Sequence, residues 1–164
     1  MQIIQDRRAL HRIPELDKNL PKTMAYVEKS LAHLGCKVFA PMDGALCAYF
    51  DFGRESTIAF RSDADALPIM ERSRIDFASE HPGRMHACGH DGHMAILLEL
   101  ARRLSSGKHL SRNVLLVFQP AEEASGGAWE ICESGIFETY RVEVIFGLHL
   151  WPGLTKGKIF SRPG

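Results

Sequence analysis

Apolar positions along the chain follow two patterns, helical spacing and short continuous runs. Apolar residues three or four positions apart predict helices over 2–12, 21–34 and 91–106. Asn19 is a candidate N-terminal cap of the second helix, and Gly35 is a candidate left-handed residue at its end. The third of these helices has an apolar face, which we expect to be buried.

Short apolar runs between the helices predict strands. Five runs are of this kind: 37–39, 46–52, 57–61, 113–118 and 142–146. The last two, NVLLVF and VEVIF, are rich in β-branched residues, which is typical of strands covered on both faces. We interpret residues 53–56 as a hairpin turn between the second and third strands.

Strands that alternate with helices, including a further helix over 128–133, predict an α/β fold with an at least partly parallel sheet. LTKGKIFS at 154–161 has the pattern of another strand, and Arg162-Pro163-Gly164 follows it without a closing element. We therefore expect residues 1–164 to be the first portion of a larger fold.

Composition narrows the classes of partner. The 164 residues are 45% hydrophobic, and twenty basic side chains balance twenty acidic ones. Neither charge forms a block, which argues against a nucleic-acid or anionic-membrane surface and favours a small-molecule partner. The charged N-terminus lacks the apolar stretch of a signal peptide, so we expect a cytoplasmic protein with reduced cysteines.

The stretch MHACGHDGHM at 85–94 concentrates metal-competent side chains. Cys88 and His90 flank Gly89, and in an extended segment both would face the same way. Thiolate and imidazole suit zinc, and neighbouring carboxylates would widen the choice to manganese, cobalt or nickel. We expect Asp91 and His93 to hold the turn and the start of the helix that follows.

Other polar side chains follow predicted strands. Asp63 and Asp65 end the third strand, Glu122 and Glu123 come after the fourth, and His149 follows the fifth. Ligand sites in open α/β sheets lie outside the carboxyl ends of strands, so these segments could converge on one crevice. Each has an ordinary alternative, such as a solvated strand end, the acidic first turn of a helix, or a hydrogen-bonded loop histidine.

In combination these segments resemble the metal-dependent amidohydrolases of the M20 peptidase family. The matching motifs occur in one order: RRALHRIPEL, RSDADALPI, MHACGHDGHMA, VFQPAEE and GLHLWP. The branch with these motifs contains hippurate hydrolases, N-acyl-amino-acid deacylases and N-acetyl-diaminopimelate deacetylases. The resemblance implies a three-layer α/β catalytic domain, with helices on both faces of a mixed, largely parallel sheet.

The resemblance also implies a site with two divalent metal ions, which could be manganese, zinc, cobalt or nickel. The positions that match the family's metal ligands are Cys88, His90, Glu123 and His149. Glu122 matches the catalytic acid/base, and Asp65 matches an aspartate that would orient a ligand. The implied reaction is hydrolysis of the amide bond of N-acyl amino acids by metal-activated water.

Full-length members of the family carry parts that these 164 residues do not contain. They insert a lid and dimerisation domain, through which we expect them to form homodimers, and supply a fifth metal ligand, a histidine, near the C-terminus. We therefore expect the 164-residue chain to bind metal weakly, to have little or no activity, and to expose apolar surface that promotes self-association.

Two other functions fit the same residues. Cys88 could be the nucleophile of a cysteine hydrolase with a nearby histidine as base, although Glu122, Glu123 and His149 would then have no role. The chain could also be a non-catalytic metal-binding or interaction fragment. A chelator distinguishes the first alternative, because a thiol enzyme survives EDTA.

Overall fold

The computed structural model describes residues 1–107 and 110–161 as one α/β unit. The elements in chain order are α1 (Gln2–Arg12), α2 (Pro21–Leu31), β1 (Lys37–Phe39), β2 (Leu46–Phe50), β3 (Thr57–Asp63), α3 (His90–Ser105), β4 (Asn113–Gln119), α4 (Gly127–Glu133), α5 (Ile136–Thr139) and β5 (Val142–Gly147). Every helix and strand predicted within the first 150 residues is present, with ends that differ by a few residues.

The sheet is mixed, and its strands lie in the order β1-β2-β4-β3-β5. β1 pairs with β2 and β2 with β4 in antiparallel fashion. β3 lies between β4 and β5 and runs parallel to both. The carboxyl ends of β3, β4 and β5 therefore meet at one edge of the sheet, where the sequence places its polar strand ends.

Helices cover both faces of the sheet and make the expected three layers. On one face, α1, α2 and α3 bury a large core around Leu10, Leu97 and Phe118. On the other face, α4 and α5 bury a smaller cluster that includes Leu115 and Ile131. β4 is buried along its full length, as expected for a central strand with an unbroken apolar run.

The predicted hairpin at residues 53–56 is wrong. β2 and β3 are not neighbours, because β4 lies between them and pairs with both. The connection passes the start of β4, where Asn113 Oδ1 accepts hydrogen bonds from the backbone N–H groups of Phe52 and Arg54 at 2.9 and 3.1 Å. Residues 53–56 are therefore part of a crossing between non-adjacent strands.

The ends of α2 also differ from the prediction. Leu20, and not Asn19, precedes the helix, and no side chain caps it locally. Instead the Glu15 carboxylate accepts hydrogen bonds from the free N–H groups of Lys22 and Thr23 at 3.2 and 2.8 Å. At the other end, α2 stops at Leu31, four positions before the left-handed Gly35.

The edge strand β5 is the largest departure from the expected burial. It pairs only with β3 among the described residues, and its Phe146 side chain is half exposed. The prediction that this strand is covered on both faces is wrong for the part of the chain described. Self-association through such a surface stays a prediction that light scattering can check.

The C-terminal segment does not form the predicted strand. Residues 154–161 have no regular secondary structure and are exposed. Arg162, Pro163 and Gly164 lie outside the described residues. Within the described ranges, no helix is both long and apolar enough to cross a membrane.

Candidate active site

The candidate site lies at the sheet edge where β3, β4 and β5 end and α3 begins. Gly89 adopts the left-handed conformation, with φ of 92°, and precedes His90, the first residue of α3. The segment from Cys88 to His90 is therefore a turn, and the extended conformation expected from the sequence is wrong. The turn still brings the Cys88 and His90 side chains to the same site.

Glu122 and Glu123 lie in a tight turn after β4. Ala121 is buried and left-handed, with φ of 56°, which is unfavourable for a residue with a Cβ atom. The buried Asp65 carboxylate holds the turn, because its two oxygens accept the backbone N–H groups of Glu122 and Glu123, each at 3.0 Å. One side chain thus fixes the backbone of both glutamates.

Gly127 keeps the same turn close to α4. A Cβ atom at this position would lie 2.2 Å from the carbonyl oxygen of Pro120, so only glycine fits without a shift of the backbone. The N–H groups of Gly126 and Gly127 both donate to the carbonyl of Ala121, at 2.9 and 3.2 Å. Glu122 and Glu123 therefore lie in a compact loop whose backbone is held by hydrogen bonds.

His90 occupies the centre of the site and is 1% exposed. Its Nδ1 donates to the backbone carbonyl of Asp65 at 2.8 Å, which directs Nε2 toward the carboxylates. Nε2 lies 3.5 Å from Asp63 Oδ2 and 3.7 Å from Glu123 Oε1. It has no hydrogen-bond partner among the described residues, although it is buried.

A buried nitrogen without a partner is costly, and a cation would satisfy it. Two sets of side chains around His90 have ligand atoms within 4.8 Å of one another: Cys88, His90 and Glu123 in one, and Asp63, His90, His93 and His149 in the other. Thiolate, imidazole and carboxylate together fit zinc and the other late divalent metals. The residues present therefore fit the metal centre that the sequence predicts.

The charges of the side chains in the site favour binding of a cation. Burial alone would raise the pKa of Asp63, but the hydrogen bond with His93 and the charges of His90 and Arg61 lower it below its usual value. Burial opposes protonation of His90 as well, yet Asp65 and Asp63 raise its pKa. The carboxylates therefore remain ionised and create a negative potential that attracts a cation.

The same potential argues against a cysteine nucleophile. Burial, together with the Glu123 carboxylate, raises the pKa of Cys88 to about 12. A nucleophilic cysteine needs the opposite shift, toward a thiolate at neutral pH. His149 Nε2 lies 3.3 Å from Cys88 Sγ, and the pKa of Cys88 is raised despite this neighbouring imidazole.

The structure thus brings together the six residues that match the family's functional positions: Cys88, His90, Glu122, Glu123, His149 and Asp65. Glu122 Oε2 is 3.9 Å from His90 Nε2, and this side chain is 40% exposed at the open edge of the site. His149 contacts the site from the segment after β5. Their individual roles stay predictions, because proximity alone does not assign a ligand.

Neither Asp63 nor His93 was predicted from the sequence as a metal ligand. His93 is fully buried, and its Nδ1 contacts Asp63 Oδ1 at 2.6 Å. A signal for His93 was available, because residues three apart lie on one face of a helix and His90 begins α3. Asp63 is the last residue of β3, so the strand end directs it to the same point.

A second polar network joins α1 to the start of α3. His11 Nδ1 lies 2.8 Å from Asp91 Oδ2, and His11 Nε2 lies 3.2 Å from Glu71 Oε1. Arg7 also donates to Asp91, at 2.8 Å, and the His86 ring lies 6.4 Å from the His11 ring. Both His11 nitrogens face carboxylates, so the ring can donate from both as an imidazolium.

This network predicts a stability that depends on pH. Asp91 foremost, and Glu71 in addition, raise the pKa of His11 above its unfolded value. The stabilisation by protonated His11 is fully present below the unfolded pKa and is lost as pH rises through the folded pKa. With EDTA present, urea unfolding should show a larger deficit for His11→Gln at pH 6 than at pH 9. A deficit that stays constant over this range would contradict the assignment of a buried imidazolium.

The fold and donor set define an α/β protein with a candidate metal centre at the edge of a mixed sheet where its parallel strands β3, β4 and β5 end. The family model for peptidase family M20/M25/M40 matches residues 59–164. The chain belongs to this family, as the motifs in its sequence indicate.

Similar proteins support this assignment. A Staphylococcus epidermidis protein described as an uncharacterized hydrolase is 42% identical over 159 residues, which are 95% of this chain and 42% of that protein. A Staphylococcus aureus hydrolase is 38% identical over 158 residues, and a Staphylococcus saprophyticus hydrolase is 39% identical over 163 residues. The chain thus spans less than half the length of the curated relatives it matches.

Solved structures have the same fold. A Bacillus subtilis protein described as a dinuclear metal binding peptidase from the M20 family matches with a TM-score of 0.86 and 35% identity, over 93% of this chain and 44% of that one. A putative aminohydrolase from methicillin-resistant Staphylococcus aureus matches with a TM-score of 0.93 and 36% identity, over 99% and 44%. Both likenesses extend over nearly all of the chain.

Proposed function

We propose that this chain forms the metal-binding part of an amidohydrolase that acts on N-acyl amino acids. The observation that carries the proposal is the convergence of thiol, imidazole and carboxylate groups on the unpartnered Nε2 of buried His90. The description of the Bacillus subtilis structure as a dinuclear metal binding peptidase supports a site for two ions.

Cys88, His90, Glu123 and His149 would hold the ions, and Asp65 would fix the backbone that carries the glutamates. Two divalent cations supply activated water and polarise the amide carbonyl when they are bound. Glu122 would take a proton from the attacking water and deliver it to the leaving amine. The products would be a carboxylate and a free amino acid.

The exposure of Glu122 supports its role as acid/base. Its side chain is 40% exposed, whereas that of its neighbour Glu123 is 24% exposed. A proton carrier must reach the substrate, while ligands and the groups that orient them are held in place by the protein. The adjacent glutamates are thus suited to different tasks.

The finer parts of the proposal come from the family resemblance and from composition. They are a deacylase specificity for N-acyl amino acids, a manganese, zinc, cobalt or nickel site, a cytoplasmic location, and homodimers of the full-length protein. The aminohydrolase description of the Staphylococcus aureus structure supports the reaction class. The small-molecule substrate agrees with the balanced charge of the chain.

The test is hydrolysis of hippurate and several N-acetyl amino acids by the chain loaded with manganese, cobalt or zinc. We expect slow release of the amino acid that is lost with EDTA and in Glu122→Gln, whereas the matched variant Glu28→Gln on α2 retains it. Turnover that survives EDTA would contradict a metal-dependent reaction. Bound metal without any turnover at high protein concentration would favour the non-catalytic metal-binding fragment.

A further inference from the structure

His93 is fully buried in the first turn of α3, and both of its ring nitrogens are already engaged. Nε2 accepts a hydrogen bond from the backbone N–H of Leu150 at 2.9 Å. That contact requires an unprotonated Nε2, so Nδ1 carries the hydrogen and donates to Asp63 Oδ1 at 2.6 Å. The neutral ring is therefore a bridge between β3 and the segment after β5.

Gly92, the preceding residue of α3, contacts the same leucine. A Cβ atom at position 92 would lie 2.6 Å from Leu150 Cδ1, so the leucine side chain occupies the space that a larger residue would need. The first turn of α3 thus contacts Leu150 at two points. His93 binds its backbone N–H, and Gly92 leaves room for its side chain. We call this pair of contacts the Leu150 clamp.

The Leu150 clamp acts on His149 because the two residues are adjacent. His149 Nε2 lies 3.3 Å from Cys88 Sγ, and its ring centre is 4.5 Å from that of His93. The His149 side chain itself is exposed, so burial does not fix its direction. Among the described residues, the Leu150 N–H bond is the hydrogen bond that joins residues 148–151 to α3.

We propose that His93 is a positioning residue for His149 and not itself a metal ligand. Together with Gly92 it holds residues 148–151 so that His149 faces Cys88 and His90. The inference rests on the proposed metal centre, and it assigns His93, one of the six residues in the two sets, to support and not to metal binding. If His93 bound metal through Nε2, Leu150 would lose its acceptor and the segment would be released.

The first arm of the test uses the unmodified chain and nitrogen-15 NMR. Without metal, we expect His93 as the Nδ1–H tautomer and slow hydrogen exchange of the Leu150 amide. On titration with Zn²⁺, both features should persist while the His90 nitrogens shift. A coordination shift at His93 Nε2, or rapid exchange of the Leu150 amide, would overturn the inference.

The second arm uses variants. Gly92→Ala places Cβ against the end of the half-exposed Leu150 side chain, which can rotate away, so it should weaken zinc affinity less than His93→Leu does. His93→Leu should weaken it by about 10- to 100-fold, and His93→Gln, whose side-chain oxygen can accept from Leu150, by less. Zinc stoichiometry should stay unchanged in all three.

The matched control is His33→Asn, a change at an exposed histidine after α2, which should leave zinc affinity unaltered. Wild-type affinity in His93→Leu, or equal losses in His93→Gln and His93→Leu, would contradict the positioning role. Failure of the unmodified chain to bind zinc would instead contradict the proposed metal centre, since the first arm tests the Leu150 clamp without metal.

Discussion

Zinc binding should fall by at least about 100-fold when His90 is replaced by Asn, because His90 belongs to both sets of candidate ligands. The asparagine amide can still donate to the backbone carbonyl of Asp65, which His90 Nδ1 contacts at 2.8 Å. The change therefore removes the unpartnered Nε2 and retains the local hydrogen bond. Isothermal titration calorimetry with Zn²⁺ measures the loss.

His33→Asn makes the same chemical change at an exposed position and should bind zinc like the unmodified chain. Circular dichroism checks that both variants are folded. Undiminished zinc affinity in His90→Asn would show that the metal centre is elsewhere or absent.

Asp65→Asn should lower the free energy of unfolding by roughly 2 kcal/mol, the usual worth of a hydrogen bond to a charged group. The buried carboxylate accepts one N–H from each glutamate of the β4 loop, and an amide has only one oxygen for this purpose. Urea unfolding with EDTA present measures the change without a contribution from bound metal.

The conditions for this measurement follow from the pKa of Asp65. Burial alone would raise it, but His90 and the two backbone N–H groups outweigh that effect and lower it. The stabilisation is therefore present above the unfolded pKa and is lost as pH falls through the folded one. Asp43→Asn, at an exposed position, is the matched control, and equal stability of the two variants at neutral pH would contradict the role of Asp65.

Most elements of the fold could be predicted because their patterns depend on local spacing. The continuous apolar run of β4 and the apolar stripe of α3 are examples, and both are buried as expected. Strand order could not be read in the same way. β2 and β3 are separated by a short polar segment typical of a hairpin, but β4, fifty residues further on, lies between them.

Capping and edge exposure depended on distant residues as well. The N-terminus of α2 is capped by Glu15, which precedes Thr23 by eight positions and lies outside any local capping motif. β5 has the composition of a covered strand, but among the described residues no strand pairs with its outer edge. Composition indicates what a strand can bury and cannot show what covers it.

The site was predictable to the extent that it depends on strand ends. Parallel strands end at one edge, which explains why Glu123 and His149 meet His90 despite their separation in sequence. The position of His93 between Asp63 and Leu150 was not predictable, because it depends on how the segment after β5 packs on α3. Sequence spacing indicates candidate ligands, and packing decides which of them have free atoms.

The most direct test of the central claim is zinc X-ray absorption spectroscopy of the zinc-loaded chain. A centre that includes Cys88 predicts a sulfur neighbour at about 2.3 Å, together with nitrogen or oxygen neighbours at about 2.0–2.2 Å. The sulfur signal should disappear in Cys88→Ser and persist in Cys132→Ser, which changes an exposed cysteine. Zinc without a sulfur neighbour in the unmodified chain, or a sulfur signal that survives Cys88→Ser, would contradict the proposed metal centre.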